Sequence, residues 1–298
     1  WSPASILKRP GMHLLSSKQA FAHGSNSVQY FQFRKSRGSC EKFHGAVVDH
    51  VGNRGPYDFA KTENTRVFRD VQQVGAVLRE MNARGDVYGT AVKPQVAIVY
   101  DVENRWALDA AAGPRNKDKD EKYVETLLSH YRPFWDAGVQ VDIVDMDGDI
   151  SGYKLVIAPM LYMYRAGFEQ KMRAFVENGG TLVTTYWSGI VDENDLCRLG
   201  GVPGGMMDVF GVWNEEIDSL PDGVKNSVAM DGRRYDAFEL CARIHPITAE
   251  VLGTYEKDFY AGEPAVTKNR FGRGAAYYIA ARTGTDMLAA LYGGLIAS

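Results

Sequence analysis

The sequence predicts a multidomain α/β protein built in three parts. Three observations lead there: a helix, strand, long loop and helix at the start, four short apolar strands with helical stretches between them in the middle, and Gly-punctuated alternating strands at the end. With 298 residues, 45% of them hydrophobic, the chain has enough apolar material for more than one core. The implied divisions are residues 1–92, 93–230 and 231–298.

In the first part, Trp1 to Gly11 reads as an irregular loop because of Pro3 and the Arg9-Pro10-Gly11 punctuation. A helix is expected from Leu14 to Ala22, with Ser16 or Ser17 near its start and Gly24 after its end. Val28 to Phe33 has the aromatic and β-branched content of a strand. A long loop rich in Gly, His and charge follows, from about Arg34 to Lys61, and such a loop is costly to order unless it serves a purpose. Thr62 to Met81 then reads as an amphipathic helix, with Val67, Val71, Val74, Leu78 and Met81 at three- and four-residue spacings. This order matches the last turn of a (β/α) barrel, where long loops follow strand carboxyl ends, and it also fits other α/β units.

The second part begins after Lys93-Pro94. Val96 to Tyr100 is almost uniformly apolar, as expected of a strand covered by helices on both faces. Ala111 to Asp120 is polar, and helical periodicity resumes from Lys122 to Trp135. Further strands are expected at Val139–Val144, Leu155–Ala158 and Thr181–Thr185, with a helix from Ala166 to Asn178 that Gly179-Gly180 ends. The sum is an open, mostly parallel sheet. After a Gly- and Pro-rich excursion at Leu199–Met207, the character changes near Tyr235. Strands at Ala249–Tyr255, Ala265–Asn269 and Ala275–Ile279, turns at Gly262 and Gly272-Arg273-Gly274, and a helix from Thr285 to Leu291 predict a small antiparallel domain.

Charge and cysteine usage exclude several classes. Lys plus Arg total 34 against 37 Asp plus Glu, a formal charge of -3, which provides no field for nucleic acid or an anionic membrane. Cys40, Cys197 and Cys241 are far apart and form no CxxC pair, so no zinc ribbon or disulfide framework is expected and a reducing, cytoplasmic compartment is. No run reaches the roughly 18 apolar residues that span a bilayer. The start has no secretory signal pattern, and because it also has no Met it says little about export.

One loop concentrates chemistry. Glu41-Lys42-Phe43-His44-Gly45 and Asp49-His50 follow the end of the Val28–Phe33 strand. Together they offer an acceptor, donors, an aromatic ring and an imidazole, the groups that suit a pyranose with its many hydroxyls and its apolar C–H face. On spacing alone the bland alternative stays open: a Glu41-Lys42 surface pair, satisfied loop histidines and Phe31 in the core. A metal site from His44, Asp49 and His50 lacks a recognised ligand spacing.

Lys8-Arg9-Pro10-Gly11, Ala22-His23-Gly24, Tyr30-Phe31-Gln32-Phe33-Arg34-Lys35-Ser36-Arg37-Gly38, Glu41-Lys42-Phe43-His44-Gly45-Ala46 and Asp49-His50-Val51-Gly52 resemble, in order, the β-galactosidases of glycoside hydrolase family 42. The specific motifs cover about sixty residues, with a weaker likeness through the rest. The resemblance implies the terminal part of a (β/α)8 TIM barrel, then an amidotransferase-like (flavodoxin-like) α/β trimerisation domain, then a small antiparallel β domain. It implies a galactose subsite in which Trp1 and Phe31 bound the ring, Glu41 and His44 bind hydroxyls, and Lys42 and Phe43 lie between them, with one of these two, Phe43, turned into packing. Phe33 stands where a tryptophan is common and is expected to keep an aromatic core position.

By the same resemblance both catalytic glutamates precede Trp1, so no catalytic residue is assigned in this chain. A family-type structural zinc would likewise bind upstream, so no metal or cofactor is assigned here. The implied activity is retaining hydrolysis of β-D-galactosides or galacto-oligosaccharides by a homotrimer, without nucleic-acid or membrane partners, and the isolated chain is expected to be inactive. The alternatives are a non-catalytic assembly fragment, for which Trp106, Trp135, Tyr162 and Tyr164 are candidate interface aromatics and equally candidates for the core, and a carbohydrate-binding portion of such an enzyme. A nucleophile in the middle domain would need an elbow such as Ala158-Pro159-Met160 or Thr185–Gly189; neither carries a cysteine, and Ser188 has no ordered partners.

Overall fold

The structure is a computed structural model; it describes residues 4, 6–52, 56–57, 59–85, 89–90, 92–115 and 122–296. The chain forms two compact units, Trp1–Lys93 and Pro94–Ser298.

In the first unit, helix α1 spans Met12–Ala22 and packs against helix α2, Arg66–Arg84. Helix α1 starts two residues before the expected Leu14, directly after Gly11 at φ 83. Ser16 and Ser17 therefore lie inside the helix, where their hydroxyls donate back to the carbonyls of Met12 and His13 at 2.8 and 2.6 Å instead of capping it. The expected Thr62 start of α2 is a 3-10 turn, Thr62–Asn64. The cap is Thr65, whose hydroxyl accepts from the Phe68 N–H at 3.3 Å, and Gly85 at φ 71 ends the helix. Among the apolar stripe of α2, Val74 is buried and Val67, Val71, Leu78 and Met81 are half-buried.

The strand expected at Val28–Phe33 is not formed. A strand exists only where a neighbour satisfies its backbone, and among the described residues 47–48 alone run alongside. Val47 N–H donates to Gln32 (3.1 Å), Val48 N–H to Phe33 (2.7 Å) and Lys35 N–H to Val48 (2.9 Å), giving one parallel bridge, Arg34 to Val48.

The second unit is built on one sheet of eleven strands among the described residues. Strands β1 (Val96–Val99), β2 (Val141–Val144), β3 (Leu155–Ala158) and β4 (Thr181–Thr185) are parallel in the order β2-β1-β3-β4. Every residue of β1 and β3 is buried, as the apolar runs predict. Helices α3 (Val102–Ala111) and α4 (Tyr123–Asp136) connect β1 to β2, and α5 (Phe168–Glu177) connects β3 to β4. The sequence reading missed α3, although Asp101 caps it by accepting from the Asn104 N–H at 3.0 Å.

After the short helix α6 (Met207–Phe210) come β5 (Val212–Ser219), β6 (Lys225–Met230), β7 (Arg233–Pro246), β8 (Glu250–Tyr255), β9 (Pro264–Phe271), β10 (Gly274–Ile279), β11 (Ala281–Thr283) and helix α7 (Thr285–Ile296). They pair antiparallel along β11-β7-β6-β8-β9-β10, with β5 on β7. The expected division at 230/231 falls in the β6–β7 hairpin turn, where Asp231 and Gly232 both take positive φ, 51 and 70, as a two-residue turn of that hand requires. The antiparallel strands thus begin at β5 and stay in the same compact unit. The reason is β10, which lies parallel to β4 with Ala275–Ile279 opposite Thr181–Thr185 and carries one sheet through both halves.

Candidate functional site

The chemistry-bearing loop of the first unit leaves the 33–35 segment and returns at 47–48, so the three backbone bonds described above close its base. Within it Cys40–Phe43 forms a 3-10 turn, and the His44 N–H donates to the Glu41 carbonyl at 3.0 Å. That bond holds the backbone of Glu41 and His44 at one turn, and both residues are half-buried. Phe31 is 74% exposed and meets His44 edge-on with ring centroids 6.5 Å apart. An accessible ring beside an imidazole, with a carboxylate residue three positions before that imidazole, suits a molecule with an apolar face and adjacent hydroxyls.

Two sequence expectations change here. Phe43 is not turned into packing; it is 80% exposed, with the Lys42 ammonium 5.1 Å above its ring centroid. Glu41 and His44 take the half-buried side of the turn, and Lys42 and Phe43 between them face outward. Phe33 is 65% exposed and holds no core position, because the segment that would have buried one of its faces is not a strand. Trp1 lies outside the described residues.

No group of three or more His, Cys, Asp or Glu able to hold a metal exists among the described residues. His50 instead uses its Nε2 on the Ser36 carbonyl at 2.7 Å, and Asp49 Oδ1 accepts from the Val51 and Gly52 N–H groups at 3.1 and 3.2 Å. Cys40 and Cys197 are exposed, and burial pushes the Cys241 thiol up to about 12, away from the thiolate that a metal requires.

In the second unit, the elbows where an amidotransferase-like sheet would carry a nucleophile are filled. Met160, at φ 46 after β3, is buried; its N–H donates to Thr185 Oγ1 at 2.9 Å and its carbonyl accepts from Asn104 Nδ2 at 3.1 Å. Its sulfur takes a bond from Arg282, whose guanidinium also holds the Tyr186 hydroxyl at 2.9 Å and the Glu239 carboxylate. Ser188 is fully buried and its hydroxyl has no hydrogen-bond partner among the described residues, so none of them activates it as a base. Of the aromatics proposed for an interface, Tyr162 and Tyr164 are core at 7% and 0% exposure, whereas Trp106 and Trp135 are exposed at 65% and 52%.

Sequence reasoning missed the ionic hubs. Arg165 binds Asp101, Asp147 and Glu103 at 3.0, 2.7 and 3.1 Å, and Arg282 with Lys122 holds Glu239. The partners are 18 to 117 residues apart and only the fold brings them together, so no spacing could announce them.

Residues 94–298 match the family model described as a β-galactosidase trimerisation domain, and residues 1–81 match the one described as β-galactosidase. The β-galactosidase Pbg of Clostridium perfringens is 55% identical over 99% of this chain and 42% of its own length. The β-galactosidase BglY of Alicyclobacillus acidocaldarius is 52% identical over 95% of this chain and 40% of its own. The crystal structure of a cold-adapted β-galactosidase from a Rahnella species superposes with a TM-score of 0.90 at 51% identity, over 99% of this chain and 42% of that one. The chain thus spans about two fifths of the length of these relatives. With both units matched in order and the fold superposed, the chain belongs to the glycoside hydrolase family 42 β-galactosidases.

Proposed function

We propose that this chain supplies the galactose-binding wall and the assembly unit of a retaining β-galactosidase. In this reading the first unit is the terminal part of a (β/α)8 barrel, and Trp1, Phe31, Glu41, Lys42, Phe43 and His44 line the subsite for the terminal galactose. Glu41 accepts from adjacent hydroxyls, His44 donates to or accepts from a third, and Phe31 bounds the ring. The two carboxyl groups that protonate the glycosidic oxygen and attack the anomeric carbon lie in the polypeptide before Trp1. They would flank the sugar at roughly 5–5.5 Å, as retention demands. Contacts from Glu41 and His44 to the hydroxyls tighten as positive charge develops on the ring, which lowers the barrier as well as binding the substrate.

The observation that carries this reading is the single turn that holds Glu41 and His44, with the exposed Phe31 ring 6.5 Å from the imidazole. The test is Glu41→Gln in the intact polypeptide. Loss of one charge-assisted pair of hydrogen bonds should lower kcat/KM on a nitrophenyl β-galactoside by about 10- to 100-fold. An unchanged value removes Glu41 from the subsite.

The second unit supports an assembly role beside the catalytic one. Its match to a trimerisation-domain model over residues 94–298, and its filled elbows, favour an amidotransferase-like domain that has kept the sheet and serves a homotrimer.

A further inference from the structure

The loop that carries Glu41 and His44 has little structure of its own. Between Ser36 and Ala46 its only regular element is the four-residue 3-10 turn Cys40–Phe43. Glu41, His44 and Phe31 therefore hold their relative places only if the two chain segments at the loop's base are fixed to one another. Three backbone bonds do part of this, between Gln32–Lys35 and Val47–Val48.

One side chain bridges the same two segments beyond the backbone bonds. His50, two residues after the returning segment, reaches the Ser36 carbonyl with Nε2 at 2.7 Å. A carbonyl only accepts, so Nε2 carries the proton and donates. Asp49 fixes the direction of approach, because its Oδ1 holds the backbone N–H groups of Val51 and Gly52 in a tight turn around His50. On the other strand of the seam, Ser36 is tied to Gln32 through Oγ and Oε1 at 3.1 Å, next to Phe31. A continuous path thus runs from the ring that bounds the sugar, through Gln32 and Ser36, to His50, and back along Val48 to His44.

We infer that His50 is a positioning residue: its Nε2–H clamps the base of the loop and so sets where Glu41 and His44 meet the galactose hydroxyls. The inference rests on the assignment of that loop to the galactose subsite. Without the clamp the loop must be ordered at each binding event, and that cost falls equally on the ground state and the transition state. Loss of the clamp therefore weakens binding and leaves the chemical step alone, whereas loss of Glu41 affects both.

The experiment uses the intact polypeptide with His50→Leu, His50→Gln, His50→Asn and Glu41→Gln in parallel, reading kcat, KM and the inhibition constant of free galactose. Substitution at His50 has room: the side chain is exposed on a concavity of about 620 Å3 lined by Arg34, Arg37 and Asp49 among others. His50→Leu should raise KM and the galactose inhibition constant together by about fivefold, with kcat within about twofold. A glutamine places its amide nitrogen where histidine carries Nε2, and asparagine falls short, so His50→Gln should restore both constants and His50→Asn should not. Wild-type constants in His50→Leu, equal impairment in the glutamine and leucine variants, or a fall in kcat alone would each overturn the clamp. If Glu41→Gln weakens galactose and His50→Leu does not, the clamp fails and the subsite stands. If Glu41→Gln changes nothing, the subsite assignment itself has failed.

Discussion

His130 on α4 donates to or accepts from the Tyr292 hydroxyl of α7 and lies at 3% exposure, so a charged ring would lose its solvation there. Burial, aided by the Arg282 charge, pulls its pKa down from 6.5 to about 3. The unfolded chain therefore takes up the proton first. Stability from this residue is complete above pH 6.5 and is lost as pH falls toward about 3. Going from about pH 7.5 to about pH 5 should cost about 2 kcal/mol through this group alone. Unfolding of wild type and His130→Asn at both pH values checks it: the variant should be less stable at the higher pH but lose about 2 kcal/mol less on acidification, and parallel losses would disprove the assignment. The same residue-scale physics explains what could be read of the candidate site. Glu41 and His44 stand three positions apart, so their shared place at one turn follows from the spacing itself. The outward Phe43 and the exposed Phe33 were not, because aromatic identity does not reveal whether a neighbouring strand exists to cover the ring.

At the scale of elements, the joint between the parallel and antiparallel halves depends on glycines that admit no side chain. A Cβ on Gly274, at the start of β10, would lie 2.2 Å from the Gly180 carbonyl oxygen and 2.4 Å from that of Val176, both backbone atoms that cannot yield. Gly274→Ala should therefore lose about 2 kcal/mol and lower the melting temperature by about 4–8 °C. Gly293→Ala, in the open on the exposed face of α7, should be neutral or raise it, since alanine favours the helix by about 1 kcal/mol. Equal shifts in the two variants would contradict the close-approach argument. The parallel strands β1, β3 and β4 could be read almost to the residue: β1 and β3 are continuous apolar runs buried on both faces, and β4 is marked by its β-branched Thr181, Val183, Thr184 and Thr185. Strands β5 and β7 were missed because charge interrupts their pattern, and β6, largely buried, because Lys225, Asn226 and Ser227 open it with polar residues. In β7, Arg233, Arg234, Asp236, Glu239 and Arg243 alternate with buried residues, and Glu239 sits at φ 64 within it. The β4–β10 pairing joins residues nearly a hundred positions apart, so the single sheet was invisible where the two halves were legible separately.

At the scale of the whole molecule, the proposed homotrimer has to bury surface that the second unit leaves open. A closed three-fold ring uses two different patches on each subunit, and in such patches tryptophans near the centre carry much of the binding energy. Trp106 on α3 and Trp135 on α4 are exposed and available for such a patch, whereas Tyr162 and Tyr164 already belong to the core. Trp106 also stands beside exposed Val102 and Ile143 at the carboxyl ends of β1 and β2, above the carboxylates that Arg165 gathers. A glutamate at this place would put an unpaired charge against an acidic rim and in a desolvated contact, costing several kcal/mol per interface. Trp106→Glu should therefore convert a trimeric native mass to that of the single chain at micromolar concentration, with the far-ultraviolet circular dichroism unchanged because the residue is exposed. Trp135→Glu should act in the same direction, and the tryptophan fluorescence of the wild type should shift to longer wavelength on dilution through the dissociation range. A trimeric mass retained by both variants would move the interface to another face of the second unit.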